Sequence, residues 1–116
     1  MKVVRIYTGP DGKSHFEDID LPFATGGESE ATPLRAAKGV RFNRYPPGYV
    51  REWHPAPQRQ YVVNLAGQAE IEIGDGTVRR FSPGDVLLAE DLTGQGHITR
   101  VVGNQTRVTM WVALES

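Results

Sequence analysis

Pro47-Gly48-Tyr49-Val50-Arg51-Glu52-Trp53-His54-Pro55-Ala56-Pro57-Gln58-Arg59-Gln60-Tyr61-Val62-Val63-Asn64-Leu65-Ala66-Gly67 is the stretch that decides the fold. It opens on a Pro-Gly turn and carries one of the chain's three histidines. From Gln60 it runs into a segment rich in β-branched and aromatic residues, closed by Gly67. Such a segment between turn residues reads as a strand. Side chains alternate along a strand, so Gln60, Val62 and Asn64 share one face and Tyr61, Val63 and Leu65 the other. With Gln60 facing inward, Asn64 is a polar pocket residue; with the strand fraying at its end, Asn64 meets water.

Working outward, 13 glycines and 8 prolines punctuate the chain at short intervals, as in Gly9-Pro10-Asp11-Gly12, Gly74-Asp75-Gly76, Pro83-Gly84-Asp85 and Gly94-Gln95-Gly96. The runs between them predict strands over residues 3–7, 40–45, 60–65, 69–73, 78–81, 86–89, 97–102 and 107–114. Many short strands at this spacing imply an all-β sandwich or barrel. The clearest hairpin joins Ala69-Glu70-Ile71-Glu72-Ile73 to Thr77-Val78-Arg79-Arg80-Phe81 through an Asp-Gly turn, which supplies the positive φ a tight hairpin needs. Glu70 and Glu72 are expected to face Arg79 or Arg80 across it. One helix candidate covers about residues 29–38, limited to a turn or so by Pro33; residues 25–32 read as loop. No repeat or linker divides the 116 residues. The chain therefore reads as a single domain, with N-terminal strands and a loop over 1–39 and the barrel over about 40–102.

The segment Gly48 to Gly67 resembles the first motif of the cupin superfamily: Gly, five residues, His-x-His, three or four residues, Glu, six residues, Gly. Gly48, His54 and Gly67 match in frame. Ala56 stands at the second His and Gln60 at the Glu. Pro83-Gly84-Asp85 suits the start of the second motif. Strict spacing then puts Gln95 at its His. Two extra loop residues instead make Gly94-Gln95-Gly96-His97 the Gly-x-x-His, with Val101 at the motif's Asn. The second alignment is preferred, because loop length varies more easily than ligand type.

The resemblance implies an all-β, cupin-type double-stranded β-helix, a jelly-roll barrel. It also implies one divalent metal (Fe, Mn, Ni or Zn) at the barrel mouth, here with His54, His97 and Gln60 as the candidate ligands. Two imidazoles and a neutral amide are a weak set, since the carboxylate charge is missing. Glu90 or Asp91, just before His97, restores a carboxylate if the loop folds back. Arg44, inward on its strand, would clamp a carboxylate or phosphate; outward, it is a surface cation. Trp53 points away from His54 and reads as packing, and His15, in a polar turn, as a surface residue.

Composition narrows the function. There are no cysteines, so disulfides, thiolate metal sites and thiol nucleophiles are excluded. The net charge of −1 offers no basic excess for nucleic acid or anionic membrane. A start without a signal-peptide core and the absence of a long apolar run make the cytoplasm the expected location. No serine sits in a nucleophile elbow. Three readings stay open: a small cupin binding a small polar ligand through a metal, with or without catalysis; a metal-free binding module or an acid–base enzyme using His54; and a non-catalytic interaction protein. The small-ligand reading is favoured, because His54, Gln60 and His97 are polar groups that burial penalises unless they serve a site. Residues 60–65 and 107–114 are apolar on both faces, which predicts a homodimer.

Overall fold

The computed structural model describes residues 1–115, which form twelve strands: β1 (Lys2–Thr8), β2 (Ser14–Asp20), β3 (Ala24–Gly26), β4 (Ser29–Ala31), β5 (Ala37–Tyr45), β6 (Val50–His54), β7 (Gln60–Ala66), β8 (Gln68–Glu72), β9 (Val78–Phe81), β10 (Val86–Glu90), β11 (His97–Val102) and β12 (Arg107–Leu114). Six of them make one sheet in the order β2-β1-β10-β7-β12-β5. Four make a second in the order β6-β11-β8-β9, and β3 pairs only with β4. Sequential neighbours are split between the two large sheets, so the chain crosses repeatedly from one to the other. That is the all-β jelly-roll architecture implied by the cupin resemblance, within the sandwich-or-barrel class expected from the turn spacing.

The core lies between the two sheets. Val62, Leu87 and Ala89 from the larger sheet pack with Ile71 and Phe81 from the smaller, and with Ile6 and Ala56. A second, smaller cluster of Val3, Val86, Leu88 and Leu114 sits on the other face of the six-stranded sheet. This is why β1, β7 and β10 carry apolar residues on both faces. Beside that cluster runs an outer groove lined by Tyr61, Val63 and Val112, with Leu21 and Leu34 along it.

Eight of the strands lie where the alternation and turns put them. The expected helix over about 29–38 does not form. Ser29–Ala31 is strand β4, and residues 32–36 are irregular before β5 begins. Pro33 fixes φ and lacks an N–H, and the small residues before it pair across a Gly27-Glu28 turn as a hairpin instead. β2 and β6 were not expected: SHFEDID and VREWH carry too few apolar residues to read as strands, and tertiary pairing with β1 and β11 makes them so. In the expected hairpin, Glu70 pairs with Arg80 at 2.7 Å, while Glu72 turns to Arg100 on β11. No described helix is long and apolar enough to cross a membrane.

Candidate functional site

A pocket opens between the sheets at one end of the barrel, lined by residues from β5, β6, β7, β11 and β12. His54 ends β6 and His97 begins β11, and the two are direct partners across that antiparallel pair. Their ring centroids lie 4.5 Å apart. Gly96 makes the approach possible. Its φ is +74°, and a Cβ there would meet the His54 carbonyl carbon at 2.2 Å, so any side chain would push His97 away from His54. The Gly94-Gln95-Gly96-His97 alignment therefore has a structural reason. Gln95 packs its side chain against Gly74, outside the pocket lining.

Each imidazole is anchored through Nδ1. His54 Nδ1 donates to the Glu52 carbonyl at 2.7 Å, and His97 Nδ1 donates to Asp91 Oδ2 at 2.6 Å. A carbonyl and an ionised carboxylate only accept, which assigns a proton to each Nδ1; Nε2 then accepts whenever its ring is neutral. Asp91 is fully buried and also accepts from the Ser14 hydroxyl at 2.7 Å. The Asp91 backbone carbonyl accepts from Ala56 N–H at 2.9 Å, tying its loop to the segment after His54. The fold-back of Asp91 toward His97 is thus present, but its carboxylate holds the outer side of the ring. Burial, reinforced by the neighbouring His97, pushes the His54 imidazole below its ordinary range against the opposing pull of the Glu52 carbonyl.

Gln60 is buried and lines the same pocket, its Oε1 accepting from Gln58 at 3.3 Å. Gln60, Val62 and Asn64 do share the inward face of β7. Asn64 is 1 % exposed and does not meet water. Its amide donates to the Gly67 carbonyl at 2.7 Å and accepts from Arg107 Nε at 2.8 Å.

Two candidate ligand residues lie elsewhere. Arg44 belongs to the Val40, Phe42, Arg44 face of β5, which points to solvent; Asn43 and Tyr45 face inward instead. Glu90 has the parity of Leu88 and faces the outer side of β10, where it bonds Arg5 Nε at 2.6 Å and Arg59 Nε at 2.6 Å. Burial raises its carboxyl, but the two guanidiniums outweigh burial and hold it below the ordinary carboxylate range. Trp53 is 40 % exposed rather than packed in the core. His15 lies outside the pocket, 3.0 Å from the Asp11 carboxylate.

Arg107, Tyr45 and Ser14 were missed. An arginine opening a strand reads as solvent-facing, and only the register with β5 and β7 turns it inward. Ser14 gave no signal, because β2 itself was not recognised.

The donor set does not fit a resident divalent ion. Ala56 replaces one imidazole and Gln60 the carboxylate, and the one acid at the site, Asp91, lies behind His97, its Oδ2 taken by Ser14 and His97 Nδ1 and its Oδ1 buried without a partner. Among the described residues no three His, Cys, Asp or Glu side chains are grouped to hold a metal.

Against solved structures the chain is similar to a double-stranded β-helix domain protein from Klebsiella pneumoniae, at 22% identity over 78% of this chain and 80% of that one, with a TM-score of 0.52. It is similar to a cupin domain from Bordetella pertussis, at 17% identity over 74% of this chain and 100% of that one, with a TM-score of 0.53. The chain has the cupin fold. The Cnp3 cupin domain of Schizosaccharomyces pombe shares it across 98% of this chain and 84% of that one, at 13% identity and a TM-score of 0.54. Identities this low speak to fold alone. No family model matches the sequence, and no curated protein matches it significantly.

Proposed function

We propose that this small cupin-fold protein binds a small polar ligand in the barrel pocket without a resident metal, and that the Nε2 atoms of His54 and His97 receive a donor group of that ligand. The observation that carries this reading is the buried Ser14–Asp91–His97 chain abutting His54. A carboxylate taken fully out of water costs several kcal/mol, a poor way to hold a ring that merely fills space. Its effect is to fix one tautomer and one orientation, so that His97 presents a lone pair into the pocket. The anchored Nδ1 of His54 does the same from β6. An O–H donates to one of these acceptors, and an NH2 group can donate to both.

A second reading, proton abstraction from that donor, is favoured by the Asp91–His97 contact itself. A carboxylate behind an imidazole stabilises the imidazolium formed when Nε2 takes a proton.

The test pairs elemental analysis of protein purified without chelator or affinity-tag metal with imidazole nitrogen NMR during titration with small hydroxylated compounds. The expected result is far less than one metal per chain and Nε2 shifts on titration. One bound transition metal per chain would replace this reading with a two-histidine metal site, and unmoved Nε2 signals would remove it.

A further inference from the structure

The other end of the same pocket carries a buried cation without a counter-ion. Arg107 is 5 % exposed, yet among the described residues no carboxylate lies within ion-pair distance of it. Its one side-chain hydrogen bond runs from Nε to Asn64 Oδ1. That leaves the two terminal nitrogens of the fork, and Arg107 lines the pocket. The Tyr45 ring sits beside it, with the guanidinium carbon 6.0 Å from its centroid. A charge buried this far is costly unless paired.

The chain holds it there with some care. Gly67, at φ +70°, lets the β7–β8 turn press against Arg107; a Cβ at Gly67 would meet the Arg107 Cα at 2.8 Å. The Gly67 carbonyl in turn orients the Asn64 amide that grips Nε. The closing glycine of the first motif thus has a second role, as a seat for Arg107.

The charge of the lining points the same way. Arg51 and Arg107 both line the pocket, with the two histidines, and no Asp or Glu does, although the chain has 14 acids. Much of the remaining wall is apolar, Val62, Leu87 and Trp111 included, with the neutral polar groups of Gln60, Thr99, Tyr45 and Tyr49 set in it. The cavity volume is about 60 Å³, several times the roughly 10–15 Å³ that admits one water.

We infer that Arg107 is the anchor of an anion subsite in this pocket, and that the ligand is a short-chain organic carboxylate. The planar fork, with Nε already fixed by Asn64, matches a carboxylate through its free nitrogens. The apolar walls suit a short hydrocarbon body, which inorganic phosphate lacks. This deepens the reading above, since it names the ligand class for the pocket whose other end is the histidine pair.

The test uses 4-hydroxybutanoate and its neutral isostere 4-hydroxybutanamide, which carry the same hydroxyl at the far end of the chain, toward the histidines. Binding to the intact protein is followed by calorimetry and by the Arg107 Nε–H and imidazole nitrogen signals. The acid should bind roughly tenfold or more tightly than the amide, as charge-assisted bonds require, and should shift the Arg107 signal. Arg107→Gln should abolish that preference. If that variant fails to fold by circular dichroism, the wild-type Arg107 shift and the acid-to-amide ratio still decide. Equal binding of acid and amide, with imidazole shifts only, would overturn the carboxylate anchor and leave the histidine site standing. Inorganic phosphate binding as tightly as the acid would overturn the carboxylate assignment. No binding of either compound in the tens-of-millimolar range would overturn both.

Discussion

The barrel and the arm before it are built from the same grammar of short strands and glycine turns, and they end in opposite states. In the barrel, even the polar groups Asp91, Asn64 and His97, costly to bury, lie below the surface. In the arm, residues 22–36 are exposed throughout apart from a half-buried Thr32. The arm includes the three-residue strands β3 and β4, which pair only with each other, and a two-stranded hairpin alone is marginal in water. The radius of gyration, 14.6 Å, exceeds the roughly 13 Å of a compact domain of this length, consistent with an arm standing off the body. Turn residues alone shape a hairpin. Only burial on both sides of a strand locks it.

The sharpest way to break that contrast is to cut the buried chain. Asp91→Ala strands the buried Ser14 hydroxyl and His97 Nδ1–H without their acceptor, and should cost about 3–5 kcal/mol of stability, read by denaturant unfolding. A loss under about 1 kcal/mol would show that the carboxylate organises nothing. Gly96→Ala comes next. It forces an L-residue to φ +74° against the His54 carbonyl and should cost about 3 kcal/mol. Gly39→Ala, on the exposed edge strand β5 that follows the arm, meets no atom within 4 Å and should stay within about 0.5 kcal/mol of wild type.

The same contrast explains what could be read from the sequence. His54, Gln60 and His97 were legible because the spacing of motif glycines and alternation on a strand are local, and each of these residues lines the pocket. Asp91 was legible as a carboxylate near His97, but not as its Nδ1 partner, because that depends on how a loop folds back. Arg44 takes the outward of its two readings, since alternation groups it with Val40 and Phe42 without saying which face meets the core. Glu90, expected in the loop before His97, extends β10, where it shares the outward parity of Leu88. Arg107 was invisible, since its partner Asn64 is 43 residues away. The N-terminal arm misled the reading most: its small polar residues carry no period, so a helix was expected where β4 lies.

The arm also bears on the expected homodimer. Leu34 is fully exposed, Val40 and Phe42 on the edge strand β5 are 60 % and 65 % exposed, and the outer groove beside them is apolar. We expect light scattering to give twice 12.8 kDa at micromolar concentration. Phe42→Ser should weaken association by about 1.5–3 kcal/mol, the worth of one buried large side chain, and leave the monomer folded. A mass of 12.8 kDa for the wild type would show that the arm stands uncovered, and would sharpen the contrast with the barrel.

The smallest effect is a pH dependence, and it should arise in the barrel. Burial depresses the folded-state pKa of His54 below the ordinary imidazole value of about 6.5. Between those two values the unfolded chain binds more protons than the folded one, so stability rises with pH there. Acidification from about pH 7.5 to about pH 5.5 should therefore lower the melting temperature, with the loss beginning near the unfolded pKa and levelling below the folded one. Glu90, whose folded pKa is depressed, contributes only at lower pH, where free carboxylates begin to protonate, so it does not enter this window. His54→Gln should flatten the slope. Amide exchange across the same window should accelerate first in β6 and β11, the paired strands that carry the two rings. An unchanged melting temperature, or a slope that survives His54→Gln, would place the pH sensitivity somewhere other than the histidine pair.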